Sequence, residues 1–439
     1  MIVNMPSTDE RIIAGIDIGT SKICTIIGQA SEVGNPINII GVSLTPSRGI
    51  KKGQVVDIVA ASNAVAEGLE AAQRMAGYTM TSAYVSVGGS HIVSANSHAV
   101  VAVSRPEVEI SADDVMRVSE SAKALSLPSS REIVHVIPRS FVVDGQEGIR
   151  DPSGMTGSRL EIHTHIIHGA VISLRNLTRC MHDIKLDVDS FVFSGLASGF
   201  AVLTDTEKEL GVAVVDIGGG TTDICLYVDG ALSYSSVLPL GAKHITNDIA
   251  IGLRVNLDAA EQIKLLLGKE RPVSYLDPSG RLLDKETRKK IDEIDISSLH
   301  LGDDLQSVSR KLLMDGIIRP RLEELLAHVA MEFKKSGYAE SIPAGVVLCG
   351  GGALSPLVAE TARRTLGLPV RVGLPQRITG LIDEVQNPVY ATAVGLLLYG
   401  AQQEEDISVR QQGLSPLSSI KNGGAFVQQI MQWIKGFLP

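Results

Sequence analysis

The stretch Ile16-Asp17-Ile18-Gly19-Thr20-Ser21-Lys22-Ile23-Cys24 is repeated later in the chain as Val215-Asp216-Ile217-Gly218-Gly219-Gly220-Thr221-Thr222-Asp223-Ile224-Cys225. Each copy is a β-branched strand, an aspartate near its end, a glycine turn, a hydroxyl pair and a second β-branched strand. One copy alone would read as an ordinary turn after a buried strand. Two copies with matching flanks call for two similar half-molecules that meet across a cleft.

The turn chemistry says what such a cleft holds. Glycine permits φ > 0 and lets backbone N–H groups face an anion with no Cβ in the way. Thr20, Ser21, Thr221 and Thr222 add hydroxyl donors. The candidate phosphate-site residues are Asp17, Gly19, Thr20, Ser21 and Lys22 in the first copy. In the second they are Asp216, Gly218, Gly219, Gly220, Thr221 and Thr222. An aspartate beside a phosphate is repelled unless a cation lies between them. Asp17 and Asp216 are thus expected to hold Mg2+, directly or through water, since Mg2+ prefers carboxylate, water and phosphate oxygens. A strand follows each turn, Ile23–Ile27 and Ile224–Val228, where a P-loop or dinucleotide fingerprint places a helix. No GxxxxGK[ST] occurs, because Gly268-Lys269 is followed by Glu270.

A third glycine element follows the short apolar run Val346–Leu348. Gly350, Gly351 and Gly352 would let a nucleoside lie against bare backbone, with a helix expected from Ser355-Pro356.

The spacing predicts further elements. Ile12–Ile18 and Tyr84–Val87 read as strands, and Ile58–Met75 as a helix. Ile92–Val103 reads as a strand pair, with more strands at Arg131–Val143 and Leu160–Ile167. Ser111 caps a helix, with Asp114 three residues on. Asp248–Lys269 reads as one helix, Leu322–Phe333 as a helix opened by Pro320, and Val389–Tyr399 as a helix after Asn387-Pro388. Glu270–Gly302, broken by Pro272 and Pro278, reads as a polar surface subdomain.

Composition sets the outer limits. The 439 residues, 44% hydrophobic, can build large cores, in about two to four domains. A net charge of −9 argues against a nucleic-acid partner, which needs concentrated Lys and Arg. Cys24, Cys180, Cys225 and Cys349 form no CxxC pair, which fits a reducing cytoplasm. Met1–Arg11 lacks the pattern of a signal peptide, and the longest apolar runs are too short to span a bilayer.

These motifs, with Asn387-Pro388, Ala391 and Gly395, resemble the actin, sugar-kinase and heat-shock-chaperone ATPase superfamily. Within it the chain closely resembles the FtsA family of bacterial cell-division actin homologues. The matching segments are Gly211–Asp223, Gly241 to Asp248 with the two residues after it (GAKHITNDIA), Ile378–Asp383 (ITGLID) and Val389–Gly400. The resemblance spans essentially the whole chain.

The resemblance implies an α/β, actin-like two-lobed ATPase fold. It would have duplicated five-stranded mixed sheets around a nucleotide cleft, a small inserted α+β (1C) subdomain and a C-terminal amphipathic helix. Lobe I would comprise residues 1–83 with 166–195 and 376–400, and the 1C insert 84–165. Lobe II would comprise 196–240 with 312–375, and a 2B subdomain 241–311. Residues 401–424 would be a flexible linker and 425–439 a membrane-targeting helix.

ATP and Mg2+ are the implied cofactors. Gly241 would lie near the ribose and phosphates. Glu261 and Lys264, one helical turn apart, would approach the adenosine; an exposed ion pair is the plainer reading. In the family the 2B subdomain binds the C-terminal peptide of FtsZ, which carries acidic residues. Arg310, Lys311 and Arg319 are therefore candidate contacts. The 1C insert would serve self-association and recruitment of other division proteins. The implied role is an ATP-binding polymer that anchors the Z ring to the cytoplasmic face of the inner membrane at the septum. Hydrolytic relatives place a Gln or Glu opposite the γ-phosphate, and the matching Ser194-Gly195-Leu196-Ala197-Ser198 has neither, so hydrolysis is expected to be slow or absent.

The tail supports a membrane partner independently. At roughly 100° per residue, Phe426, Val427, Ile430, Met431, Trp433, Ile434, Phe437 and Leu438 fall within an arc of roughly 160°. Gln428, Gln429, Gln432, Lys435 and Gly436 fill the other side, and no acidic residue follows Asp406. That pattern suits an interfacial helix on an anionic membrane surface. Before it, Gln402–Gly424 reads as a linker spanning roughly 25 Å.

Other classes share this cleft. A small-molecule phosphotransferase would need a catalytic Asp over a substrate pocket, and a free tail would serve it nothing. A pilus-assembly actin homologue would differ in its partner, and a chaperone would need a substrate domain after Gly400. His163, His165 and His168 lack an accompanying carboxylate cluster and do not read as a metal site. Arg288-Lys289-Lys290 reads as a solvated basic run.

Overall fold

The computed structural model describes residues 11–31, 35–104, 109–124, 127–269, 281, 283–297 and 306–413. Two sheets repeat one topology. In the first, the antiparallel meander Arg11–Ile18, Lys22–Ala30, Ile37–Pro46 continues past its first strand into parallel Ser82–Val87 and Asp187–Phe193. In the second, Val212–Ile217, Thr222–Val228 and Ala231–Leu238 form the meander, and Val346–Cys349 and Val370–Val372 the parallel continuation. The sequence repeat is thus the visible part of a duplicated half-molecule. The first sheet departs from the expected five strands: Ile378–Gly380 adds a sixth, parallel to Ile37–Ile39.

Helices Ser194–Val202 and Ala391–Gly413 pack on each other within the main core, which draws apolar side chains from both sheets. Small residues make the crossing: a Cβ on Gly395 would lie 1.8 Å from the Ala197 carbonyl oxygen. A second core lies beneath the lobe II helices, through Ile245, Ile263, Leu326 and Val329.

The insert is a four-stranded sheet, ordered Val93–Ala102, Arg159–Ala170, Arg131–Val143, Gln146–Ile149, with helix Ala112–Ala122 and its own core around Phe141 and Leu160. Ser111 caps that helix in a reciprocal box with Asp114, as the spacing predicts. Val93–Ala102 is one strand rather than a pair; its partner lies far along the chain, at Arg159–His168. The insert's sheet runs to Ala170, past the boundary expected at His165.

Two further expectations change. The helix expected over Asp248–Lys269 is two, Lys243–Leu253 and Leu257–Lys269, separated where Arg254 adopts φ +57°. The expected linker begins as helix, because Ala391–Gly413 continues through Gln402. After the third glycine element a short 3-10 turn, Gly351–Leu354, precedes helix Val358–Leu366.

By chain order the insert belongs to lobe I, yet its polar seam runs to lobe II. Ser94 Oγ donates to the Ser235 carbonyl at 2.6 Å, and Asn96 Nδ2 to that of Ser233 at 3.2 Å. His165 sits between Asn96 Oδ1 at 2.7 Å and Ser235 Oγ at 2.9 Å. Arg139 donates to Ser233 Oγ at 3.0 Å and to the Tyr338 hydroxyl at 2.8 Å. Burial lowers the His165 pKa to about 3, so this seam holds a neutral imidazole.

Candidate nucleotide cleft

Both hairpin turns close with the same backbone bond. Gly19 N–H donates to the Lys22 carbonyl at 3.0 Å, and Gly218 N–H to that of Thr221 at 2.9 Å. The turns face each other. A Cβ on Gly219 would lie 1.9 Å from Ser21 Oγ, and one on Gly220 would lie 2.9 Å from Thr20 Oγ1. Gly241 packs behind the second turn, where a Cβ would be 2.6 Å from the Gly218 carbonyl. Ala242 and Lys243 N–H donate to the carbonyls of Gly218 and Gly219, both at 2.9 Å. Gly219 and Gly220 are therefore required by the close approach of the two lobes.

Three carboxylates are buried beneath these turns. Asp17 is 9% exposed and accepts from Ser86 Oγ at 2.8 Å. Burial raises its pKa to about 6; Lys22 and the Ser86 bond oppose this, and Asp216 adds to it. Asp216 Oδ2 accepts from Ser198 Oγ at 2.5 Å and Thr392 Oγ1 at 3.0 Å. Its pKa is also raised, chiefly by burial. Asp223 pairs in register with Asp216, and its Oδ1 has no partner among the described residues. Burial, then Asp216 and Asp17, push it well above the carboxylate range.

Asp223 is a site residue that sequence reasoning misses, because its lack of a partner is a tertiary property. The available signal is an aspartate near the start of a mostly apolar strand, Thr222–Val228. It also stands near the segment that has no carboxylate of its own: a Cβ on Gly88 would approach Ser194 Oγ at 3.0 Å and Asp223 Oδ2 at 3.7 Å.

Lys22 is the cation that acts on both Asp17 and Asp216. Its ammonium donates to the Val389 carbonyl and lies 5.9 Å from the Tyr390 ring centroid, so it also ties the hairpin to the turn before Ala391. Among the described residues no three carboxylate, histidine or cysteine side chains are arranged to hold a metal ion by themselves. Mg2+ bound through one or two carboxylates takes its other ligands from phosphate and water, which Asp17 and Asp216 beside the turns would allow.

Of the third glycine element, two members serve packing. A Cβ on Gly350, at φ +77°, would lie 2.1 Å from Asp216 Oδ1, and one on Gly352 would lie 2.3 Å from Ile217 Cγ2. Gly351 is exposed and has nothing within 4 Å, so it leaves a bare patch of backbone.

Glu261 and Lys264 are together but not as an exposed pair. Lys264 is 6% exposed, donating to Glu261 Oε2 at 2.7 Å and Thr246 Oγ1 at 2.9 Å, which links the two helices after Gly241.

The three basic residues expected at the FtsZ contact behave differently from one another. Arg319 is held by Asp315 at 3.2 Å and Glu360 at 3.1 Å, and Arg310 Nε turns back to the Ile291 carbonyl at 3.4 Å. Lys311 is exposed. Arg319 is thus a brace between helices Arg319–Ser336 and Val358–Leu366, not a free contact. Beside it lies a groove of 310 Å³, lined by Asp248, Ile251, Gly316, Ile317, Pro320 and Arg321 among others, with Ile251 76% exposed. The three histidines are not gathered: His163 stacks on His98, His165 lies in the seam, and His168 accepts from Arg131. The tail residues Phe426, Val427, Ile430, Met431, Trp433, Ile434, Phe437 and Leu438 lie outside the described residues.

Duplicated sheets, facing hairpins and an insert in the first lobe define an actin-like two-lobed protein. Solved structures share the fold. The PilM-PilN type IV pilus biogenesis complex gives a TM-score of 0.61 at 17% identity, covering 90% of this chain and 99% of that one. MreB5 of Spiroplasma citri bound to ADP gives 0.52 at 12%, covering 92% and 99%. Residues 213–395 match the family described as cell division protein FtsA, and residues 89–168 match the SHS2 domain inserted in FtsA. The chain is 37% identical over 427 residues to cell division protein FtsA of Pseudomonas aeruginosa, covering 97% of this chain and 98% of that protein. It is 36% identical over 403 residues to that of Escherichia coli K12, covering 90% and 92%. The chain belongs to the FtsA family of cell division proteins.

Proposed function

We propose that the cleft binds ATP with Mg2+, and that the bound form polymerises to anchor FtsZ filaments to the cytoplasmic face of the membrane at the septum. The observation that carries the nucleotide reading is the pair of facing glycine hairpins with buried Asp17 and Asp216 beneath them. Gly19–Lys22 and Gly218–Thr222 would take the phosphates through N–H and hydroxyl donors. Asp17 and Asp216 would hold Mg2+, with Asp216, already bonded to Ser198 and Thr392, acting through water. The metal supplies charge neutralisation of the polyphosphate. Gly351 gives the adenosine an open backbone face, and Glu261 with Lys264 holds the neighbouring helix pair in place.

Turnover is slow in this reading. Ser198, in the segment that lacks Gln or Glu, is committed to Asp216, and burial holds Asp223 toward its protonated form, a poor base. A rate in the kinase range of about 1–100 s⁻¹ would contradict it.

The acidic FtsZ peptide is assigned to the groove at Ile251 and Ile317, with Lys311 as the exposed cation among the three basic candidates. One amphipathic tail binds lipid weakly, and polymerisation would array many of them. Co-sedimentation with anionic vesicles tests the whole reading. The full chain should pellet most strongly with ATP and should carry FtsZ with it. Removal of residues 426–439 should leave both in the supernatant, and unchanged pelleting would refute the membrane role.

A further inference from the structure

Lys243 opens helix Lys243–Leu253 in lobe II, immediately behind the second hairpin. Its backbone is fixed there by the bond from its N–H to the Gly219 carbonyl at 2.9 Å. Its side chain leaves lobe II and crosses the cleft. The ammonium donates to the backbone carbonyl of Thr20, in the first hairpin, at 3.1 Å. The residue is exposed and has no carboxylate partner among the described residues.

A neutral carbonyl is a weak partner for an ammonium. An anionic oxygen at hydrogen-bond distance is worth substantially more. Lys22, the other lysine at the turns, is already bonded below them to the Val389 carbonyl. Lys243 therefore brings an uncommitted positive charge to the point where the two turns meet. The residues assigned to the adenosine, Gly351 with the Glu261–Lys264 helix, all lie in lobe II. The end of the polyphosphate farthest from the base then reaches the lobe I turn, where Thr20 and the Lys243 ammonium stand.

Resting on the nucleotide reading above, we propose that Lys243 binds the terminal phosphate of the nucleotide. Its transfer from the Thr20 carbonyl to that phosphate exchanges a weak bond between the turns for a charge-assisted one to the nucleotide, and makes the cleft prefer ATP to ADP. Removing the charge deprives ATP of a charge-assisted bond and costs ADP, which ends one phosphate earlier, much less.

The test is equilibrium titration of the full chain with fluorescent ATP and ADP analogues in Mg2+. Lys243→Gln should weaken ATP by about 10- to 100-fold and ADP by less than about threefold. Lys243→Arg should retain ATP affinity to within about threefold. An unchanged thermal midpoint in both variants shows that the fold is intact. Equal weakening of ATP and ADP, or no weakening by Lys243→Gln, overturns the assignment while leaving the nucleotide site standing. Failure of the unmodified protein to bind either nucleotide overturns both.

Discussion

Replacing Asp17 by Asn separates the cost of the buried charge from its use. Asn keeps the shape and the oxygen that accepts from Ser86 Oγ. Burial raises the Asp17 pKa from 3.8 to about 6, so its neutral form is favoured in the fold. A raised folded-state pKa gives stability that is present below 3.8 and lost as pH rises through about 6. Above that, the ionised carboxylate costs about 3 kcal/mol, since each tenfold change in an ionisation constant is worth about 1.4 kcal/mol. Asp17→Asn should therefore raise the nucleotide-free thermal midpoint at pH 7.5 by about 2–4 °C for a chain of this length. The gain should shrink to about a third at pH 4.5, where most of the cost is absent. With Mg2+ and ATP the order should reverse, because ligand stabilises only the protein that binds it. Scanning calorimetry at the two pH values, with and without Mg-ATP, checks this. An Asn variant less stable than the parent without nucleotide, or equally stabilised by Mg-ATP, would rule out a buried Asp17 charge that serves the nucleotide site.

Gly395→Leu should cost about 3 kcal/mol or more, because its Cβ would drive into the Ala197 carbonyl where the two central helices cross. The denaturant midpoint reads this directly. Arg139→Ala breaks bonds to Ser233 and Tyr338 and should cost about 1–3 kcal/mol. Hydrogen exchange should then quicken in Val93–Ala102 and Ala231–Leu238, the two sides of the seam, more than in the Arg11–Ile18 strand.

The hairpins are legible in the sequence because glycine, hydroxyl and β-branched residues act locally, and both copies close with the same local bond. Local chemistry also marks Ser111 as a cap. What escapes depends on distant partners or on weak signals. Leu253-Arg254-Val255 contains no Gly or Pro, so nothing marks the left-handed residue that ends the first of two helices. Gln402 to Gly413 reads as linker by polarity, yet Gln, Glu and Arg are good helix formers and the apolar helix before them extends through. Arg319 has the look of a free cation in the sequence, and in the fold Glu360, from another helix, closes on it. Asp223 differs from Asp216 only in its surroundings: one has an oxygen with no partner, and the other has Ser198 and Thr392.

The central claim is that the two repeated turns grip one polyphosphate. A structure of the full chain determined with ATP and Mg2+ tests it most directly. Phosphate density is expected between Gly19–Lys22 and Gly218–Thr222, with a metal on the Asp17 side and the base against Gly351. Density for the nucleotide elsewhere, or turns that stay in mutual contact at saturating ATP, would contradict it.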